Sequence, residues 1–332
     1  MDEEKAKELV LVARKACFGL PTACPSCLPV YFYLRFADVA FDLQFNVIRP
    51  DADQIPYVEY GNYVAYNNEN GGAIETLKED GIVDLDSGLP SHTIPEWVSI
   101  KAMISSWLDD AVVYELWVGS DGSTAHKIYY SDLPWPIGKI LYFKQVYTVK
   151  QLLGITKVNT ERREAEIYRR ASIAYEALST RLGEQTFFFE NRPTSLDAIF
   201  LGHALFVTQA LPDTSVLRSK LLGHSNLIRY IEKFKMEFLE AGSLPSSLPR
   251  QSPFEPSSSS TPRRGGPSSW SSKPNSKPKR EKTEEEKTFR RRAKYFLAAQ
   301  CIAVLVFLSL MGGSDGAEVE IDDDDDGLNY EE

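Results

Sequence analysis

Cys24 and Cys27, set three apart in Cys24-Pro25-Ser26-Cys27, are the side chains of this 332-residue sequence best suited to covalent chemistry. A C-x-x-C pair supports thiol–disulfide exchange when its first cysteine is held as a thiolate, and a helix N-terminus supplies positive potential that holds it. The pair lies between a short apolar run at residues 9–12 and a segment with helical spacing at Leu28, Val30, Tyr31, Leu34 and Phe36, so the spacing predicts a strand-to-helix junction there. On a redox reading Cys24 attacks, Cys27 resolves, and Pro56, in Ile55-Pro56 ahead of an apolar run, shapes the site. On the opposing reading both cysteines are small core residues of a helix start. Both readings stand at this point.

Other candidate chemistry is sparse. A zinc site needs a second ligand pair, and His92, His126, His203 and His224 are isolated from one another and read as surface or capped histidines. Asp322, Asp324, Asp326 and Gly327 have the spacing of an EF-hand loop, but no glutamate follows at the twelfth position and no flanking helix follows, so they read as a solvated charge run. Thr194 and Asp197 are placed as a capping box, with Thr194 the N-cap of a helix over residues 195–211 and Asp197 bonding back to it. Pro193 arrives from Phe187, Phe188 and Phe189, which directs that helix start into a core. This is structural chemistry, and losing it is expected to cost roughly 0.5–2 kcal/mol.

The elements that position these residues change character along the chain. Residues 8–79 read as strand, helix, strand, strand, tight turn at Gly61-Asn62, strand and helix, a small α/β unit. Aromatics within it, Phe41, Phe45, Tyr57, Tyr60, Tyr63 and Tyr66, read as core and cross-strand pairs. Beyond Pro95 the period becomes helical, with candidates at 95–116, 136–153, 161–182, 195–211 and 216–241. The predicted division is 1–90 for the α/β domain, 91–241 for a helical domain, 242–294 for a linker with a basic flank, 295–311 for an anchor and 312–332 for an acidic tail. The linker is rich in Ser, Pro, Lys and Arg and cannot bury enough apolar area to offset its ordering entropy.

The anchor reads YFLAAQCIAVLVFLSLM. Tyr295, Phe296, Leu297, Ile302, Val304, Leu305, Val306, Phe307, Leu308, Leu310 and Met311 make it apolar on all faces and without charge, long enough to span a bilayer core. Arg290, Arg291, Arg292 and Lys294 precede it and an acidic stretch follows, so the positive-inside rule keeps the folded domains in the cytosol. The expectation is a tail-anchored, single-pass protein. The acidic N-terminus has neither the apolar core of a signal peptide nor an Arg-rich transit character. Four cysteines, one of them in the anchor, do not make a secreted disulfide framework, and a net charge of −10 gives no electrostatic footprint for nucleic acid.

Together, the α/β unit, the proline before its third strand, the helical second half and the capping box on an inner helix resemble the glutathione-transferase fold, whose first domain is thioredoxin-like. Within it, Phe188-Phe189-Glu190-Asn191-Arg192-Pro193-Thr194-Ser195-Leu196-Asp197-Ala198-Ile199-Phe200-Leu201-Gly202-His203 is similar to a signature of the metaxins, as is the stretch from Ala16 to Tyr31. The chain most resembles a plant-type metaxin over about residues 8–241. The resemblance implies a two-domain glutathione-transferase-like fold on the mitochondrial outer membrane. It also implies a non-enzymatic subunit of the sorting and assembly machinery, binding precursor proteins and assisting β-barrel insertion beside a barrel-shaped insertase and other subunits. One departure from glutathione-binding relatives stands out. Asn70-Gly71-Gly72-Ala73-Ile74 occupies the stretch where they carry an acidic residue and a serine for the γ-glutamyl group, so no cofactor is expected. The alternative is a membrane-tethered glutaredoxin-like or transferase-like thiol oxidoreductase using Cys24 and Cys27.

Overall fold

A run of apolar residues with no polar alternation suits a strand covered on both faces, and Leu9–Ala13 (β1) takes that place, buried along nearly its whole length. In the computed structural model, which describes residues 9–46, 53–69, 71–134, 137–189, 191–240 and 300, β1 is an inner strand of a four-stranded sheet ordered β2-β1-β3-β4. Phe41–Phe45 (β2) pairs parallel to it, Leu11 opposite Leu43, and Tyr57–Tyr60 (β3) pairs antiparallel, Leu11 opposite Val58. Tyr63–Tyr66 (β4) closes the sheet as a hairpin partner of β3, with Gly61 at φ +60° taking the left-handed turn position. Tyr57 faces Tyr66 across the hairpin with ring centroids 5.5 Å apart, and Phe41 meets Tyr31 edge to face at 5.5 Å. Phe45 and Tyr63 are exposed.

Parallel strands need a crossover, and Cys27–Phe36 (α1) supplies it between β1 and β2. It is buried on nearly every side because Ser195–Gln209 (α8) packs against it from the helical half. The closest approach is at Gly202, where an added Cβ would lie 2.7 Å from the backbone nitrogen of Pro29. Only glycine permits that crossing. Ala73–Glu79 (α2) follows the sheet.

Beyond residue 90, Ile94–Met103 (α3) and Asp109–Trp117 (α4) run on through a π turn at Ile104–Leu108, close to the predicted 95–116. Ile137–Leu152 (α6) and Thr160–Leu182 (α7) match their expected spans within a residue or so. Two departures have local causes. The helix expected at 216–241 is broken into Val216–Leu222 (α9) and Ser225–Lys235 (α10), followed by a π turn at Met236–Glu240, because His224 leaves the helical region at φ −112°, ψ 93°. Ser123–Ala125 (α5) and the π turn His126–Tyr130 were not anticipated, since one short turn carries too few residues to show a period. His203, read from sequence as a surface or capped residue, is instead buried, its Nε2 2.8 Å from the Tyr175 hydroxyl.

One hydrophobic core runs through β1, α1, α4, α7, α8 and α10. Contacts divide the chain into two units, Met1–Arg250 and Gln251–Glu332. The expected linker, anchor and acidic tail lie outside the described residues apart from Gln300; among the described residues no helix is long and apolar enough to cross a membrane.

Candidate functional site

Two buried polar centres stand out. The first is the C-x-x-C turn. Cys27 opens α1 and Cys24 lies just ahead of its N-cap Ser26, both fully buried. The guanidinium of Arg14, the residue that follows β1, reaches back beneath them and donates from Nη1 to Cys24 Sγ at 3.1 Å and to the Ile55 carbonyl at 3.4 Å. The Ile55–Pro56 bond is cis, which brings Pro56 to the same turn. Arg14 also lies over the ring of Tyr129, 4.8 Å from its centroid, and the Tyr129 hydroxyl is 3.8 Å from Cys24 Sγ.

The electrostatics follow from burial and one fixed cation. Burial alone would push the Cys24 thiol up, but the hydrogen bond from Cys27 and the charge of Arg14 overcome it and hold Cys24 well below the ordinary thiol range. Cys27 moves the other way, pushed well up by burial and by its bond to a negatively charged Cys24. The pair has the asymmetry of an attacking and a resolving thiol, yet neither sulfur reaches solvent. A cavity of about 330 Å³ adjoins the turn, lined by Arg14, Ser26, Asp53, Ile55, Asn67, Trp117, Tyr129, Tyr130 and Gln145, and neither cysteine is on its wall. Trp117 and Tyr129, 5.2 Å apart between ring centroids, come from the helical half and line that cavity, Tyr129 with its hydroxyl 3.8 Å from Cys24 Sγ. Chemically the arrangement sets a thiol of lowered pKa against a guanidinium and encloses it.

Arg14 and Tyr129 went unrecognised in the sequence. The signal for Arg14 was available, since a cation immediately after a wholly apolar inner strand must find a buried partner or a way out. Tyr129 comes from a turn that periodicity did not reveal.

The second centre is Asp197. Its Oδ2 accepts the Thr194 backbone N–H at 2.9 Å and the Thr194 hydroxyl at 2.8 Å, and its Oδ1 accepts the Phe188 N–H at 3.1 Å and the Tyr230 hydroxyl at 3.0 Å. The carboxylate thus ties the N-cap of α8 to the preceding loop and to α10. Burial pushes its pKa up to about 6 against those four bonds. The next N–H of the helix start, Ser195, donates to Asp86 Oδ1 at 2.8 Å, and Asp86 pairs with Lys78 of α2 at 2.9 Å. Glu115 of α4, unanticipated in the sequence, does the same for α9, accepting the Val216 and Leu217 N–H groups at 2.9 and 3.2 Å.

At the stretch that glutathione-binding relatives use for the γ-glutamyl group, Gly72 is the N-cap of α2 at φ +101° and offers no side chain to a ligand; Asn70 lies outside the described residues. Among the described residues no cluster of His, Cys, Asp and Glu could hold a metal ion.

A mixed sheet crossed by a helix that begins at cysteine, a cis-proline before β3 and a helical half packed on that helix define a glutathione-transferase-like protein. The family model for the glutathione S-transferase N-terminal domain matches residues 25–122, and that for the C-terminal domain matches 171–234. Solved structures that the chain matches include a glutathione S-transferase of Methylobacterium radiotolerans in complex with glutathione sulfonate (TM-score 0.46, 14% identity, 75% of this chain and 100% of that one). Another is a glutathione transferase of Phanerochaete chrysosporium (TM-score 0.47, 12% identity, 69% and 97%). The chain is 58% identical over 324 residues to the mitochondrial outer membrane import complex protein METAXIN of Arabidopsis thaliana, across 98% of this chain and 99% of that one. It is also similar to human Metaxin-2, 27% identical over 192 residues (56% and 70%), and to mouse Metaxin-1, 25% over 256 (74% and 80%). The chain belongs to the metaxin family.

Proposed function

We propose that this protein is a non-enzymatic subunit of the mitochondrial outer-membrane import and assembly machinery, binding precursor proteins and assisting β-barrel insertion. In this reading residues 295–311 anchor it as a single pass, the domains at 1–90 and 91–241 face the cytosol, and residues 242–294 tether them. Its partners are a barrel-shaped insertase and other subunits. The near full-length similarity to an import-complex metaxin is the observation that carries the reading. The burial of Cys24 and Cys27 behind Arg14, Ile55 and Tyr129 supports a binding role over a catalytic one, because exchange needs a sulfur that a disulfide can reach.

The second reading, a tethered thiol oxidoreductase, draws on the depressed Cys24 thiol and its neighbour Pro56. Affinity purification of the full-length chain from detergent-solubilised mitochondria separates the two. A binding subunit co-purifies in near-stoichiometric amount with a barrel-shaped outer-membrane protein and carries radiolabelled β-barrel precursor during import. Recovery as a lone polypeptide, with precursor assembly unaffected by its removal, contradicts the proposal.

A further inference from the structure

α6 carries apolar residues on two faces, one turned to the core and one turned to solvent. Gly138, Leu141, Tyr142, Val146 and Val149 turn inward, buried or packed against the core, while Ile140, Phe143 and Tyr147 on the outer face are 47%, 66% and 65% exposed. At about 3.6 residues per turn these three fall in one narrow strip. Ile137 and Leu152 are also exposed but fall outside this strip, Leu152 on the side of Val149. Single exposed hydrophobics are ordinary; three aligned on successive turns of one helix mark a surface that something covers.

The charges beside the strip identify what. Lys139 and Lys150 fall on one edge of it and Lys144 on the other, all exposed, and α6 carries no acidic residue although the chain as a whole has a net charge of −10. Lysine is depleted from the cores of protein interfaces, whereas aliphatic and aromatic residues bordered on both sides by lysines suit a bilayer interface: the rings and branched chains enter between head groups and the ammonium groups stay level with phosphate. We propose that α6 docks on an anionic phospholipid surface, with Ile140, Phe143 and Tyr147 inserted and Lys139, Lys144 and Lys150 paired to lipid phosphates. Such a contact orients the folded unit on the membrane, and it stands whether or not the import role does.

A photoreactive benzoylphenylalanine introduced at Phe143 tests it in the full-length chain, reconstituted with vesicles of phosphatidylcholine alone or with phosphatidylinositol added. Because Phe143 is exposed, folding is preserved, and the same group at the exposed Glu176 of α7 reports mere proximity. Illumination is expected to give phospholipid adducts at position 143, about tenfold more with the anionic lipid than without it, and about tenfold fewer when Lys139, Lys144 and Lys150 are changed to Glu. Equal lipid labelling from positions 143 and 176, or labelling indifferent to lipid charge and to the lysines, overturns the proposal. So does a cross-link from position 143 to a second copy or to the chain's own acidic residues 312–332 in place of lipid. In mitochondria, adducts to another protein rather than lipid overturn it in favour of a protein interface. The vesicles contain no import component, so a negative result there leaves the import role to its own test.

Discussion

Asp197 and Cys24 are both fully buried groups able to carry a negative charge, and the molecule accommodates them by different means. Asp197 is surrounded by four neutral donors, two from Thr194 and one each from Phe188 and Tyr230, and holds three segments of the helical half together. Cys24 is held by the hydrogen bond from Cys27 and by the guanidinium of Arg14 at the end of β1. The first arrangement distributes the charge over groups that would otherwise be unsatisfied themselves. The second sets a sulfur of lowered pKa against a buried cation, so that removing Cys24 leaves Arg14 to the Ile55 carbonyl and the Tyr129 ring. The first is the geometry of a joint. The second is the geometry of a site whose reactive atom has been enclosed.

The sharpest way to break the comparison is Asp197→Ala. As a cap alone it would cost the ordinary helix-capping increment, but it leaves four buried donors without an acceptor, so the loss is expected at about 3–5 kcal/mol in urea unfolding of the full chain. A loss below about 1 kcal/mol would reduce Asp197 to a simple cap. Next in size is Gly202→Ala, which places a methyl against the Pro29 backbone where α1 and α8 cross. Forcing those helices apart is expected to cost about 1–3 kcal/mol, and a neutral result would show that the crossing yields easily.

A subtler test uses pH. The folded pKa of Asp197 is raised to about 6 and that of His203 is lowered to about 3, both by burial. For Asp197 the folded state binds more protons than the unfolded, so its contribution is complete below the unfolded carboxylate value and is lost as pH rises through about 6. For His203 the unfolded state binds more protons; its contribution is complete above the unfolded imidazole value and is lost as pH falls toward about 3. Between roughly pH 4 and 6 the two slopes oppose each other. His203→Gln removes one of them, so the stability of the variant should fall with rising pH more steeply than that of the native chain, by up to about 1.4 kcal/mol per pH unit. Parallel curves for the two proteins would mean that His203 is not held neutral in the fold.

The two centres were unequally legible in sequence. Thr194 and Asp197 are three residues apart on one helix start, and local spacing is what a sequence displays; the long-range donors Phe188 and Tyr230 were not visible, which is why a capping box was expected and a four-bond hub was found. The C-x-x-C and Ile55-Pro56 were likewise placed at the right junctions by the alternation of strand and helix. Whether the thiols were open depended on Arg14 and Tyr129, which come together only through the tertiary fold. The sheet and long helices were readable because their periods repeat; the break at His224 and the turn at His126–Tyr130 were not, because each is decided within a single turn. The α6 strip was readable as helix but not as surface, since periodicity alone does not say which face the core takes.

The most direct test of the binding reading is to supply mitochondria with the full-length chain carrying Cys24→Ser and Cys27→Ser as their sole copy and to follow assembly of a radiolabelled β-barrel precursor, normalised to the amount of folded protein. Because Cys24 Sγ also accepts a hydrogen bond from the buried Arg14, some loss of melting temperature is expected, and the normalisation removes it from the readout. Assembly at the native rate per folded molecule is the result the account predicts. Assembly abolished at an undiminished level of folded protein would contradict it and make the enclosed cysteines the working part of the molecule.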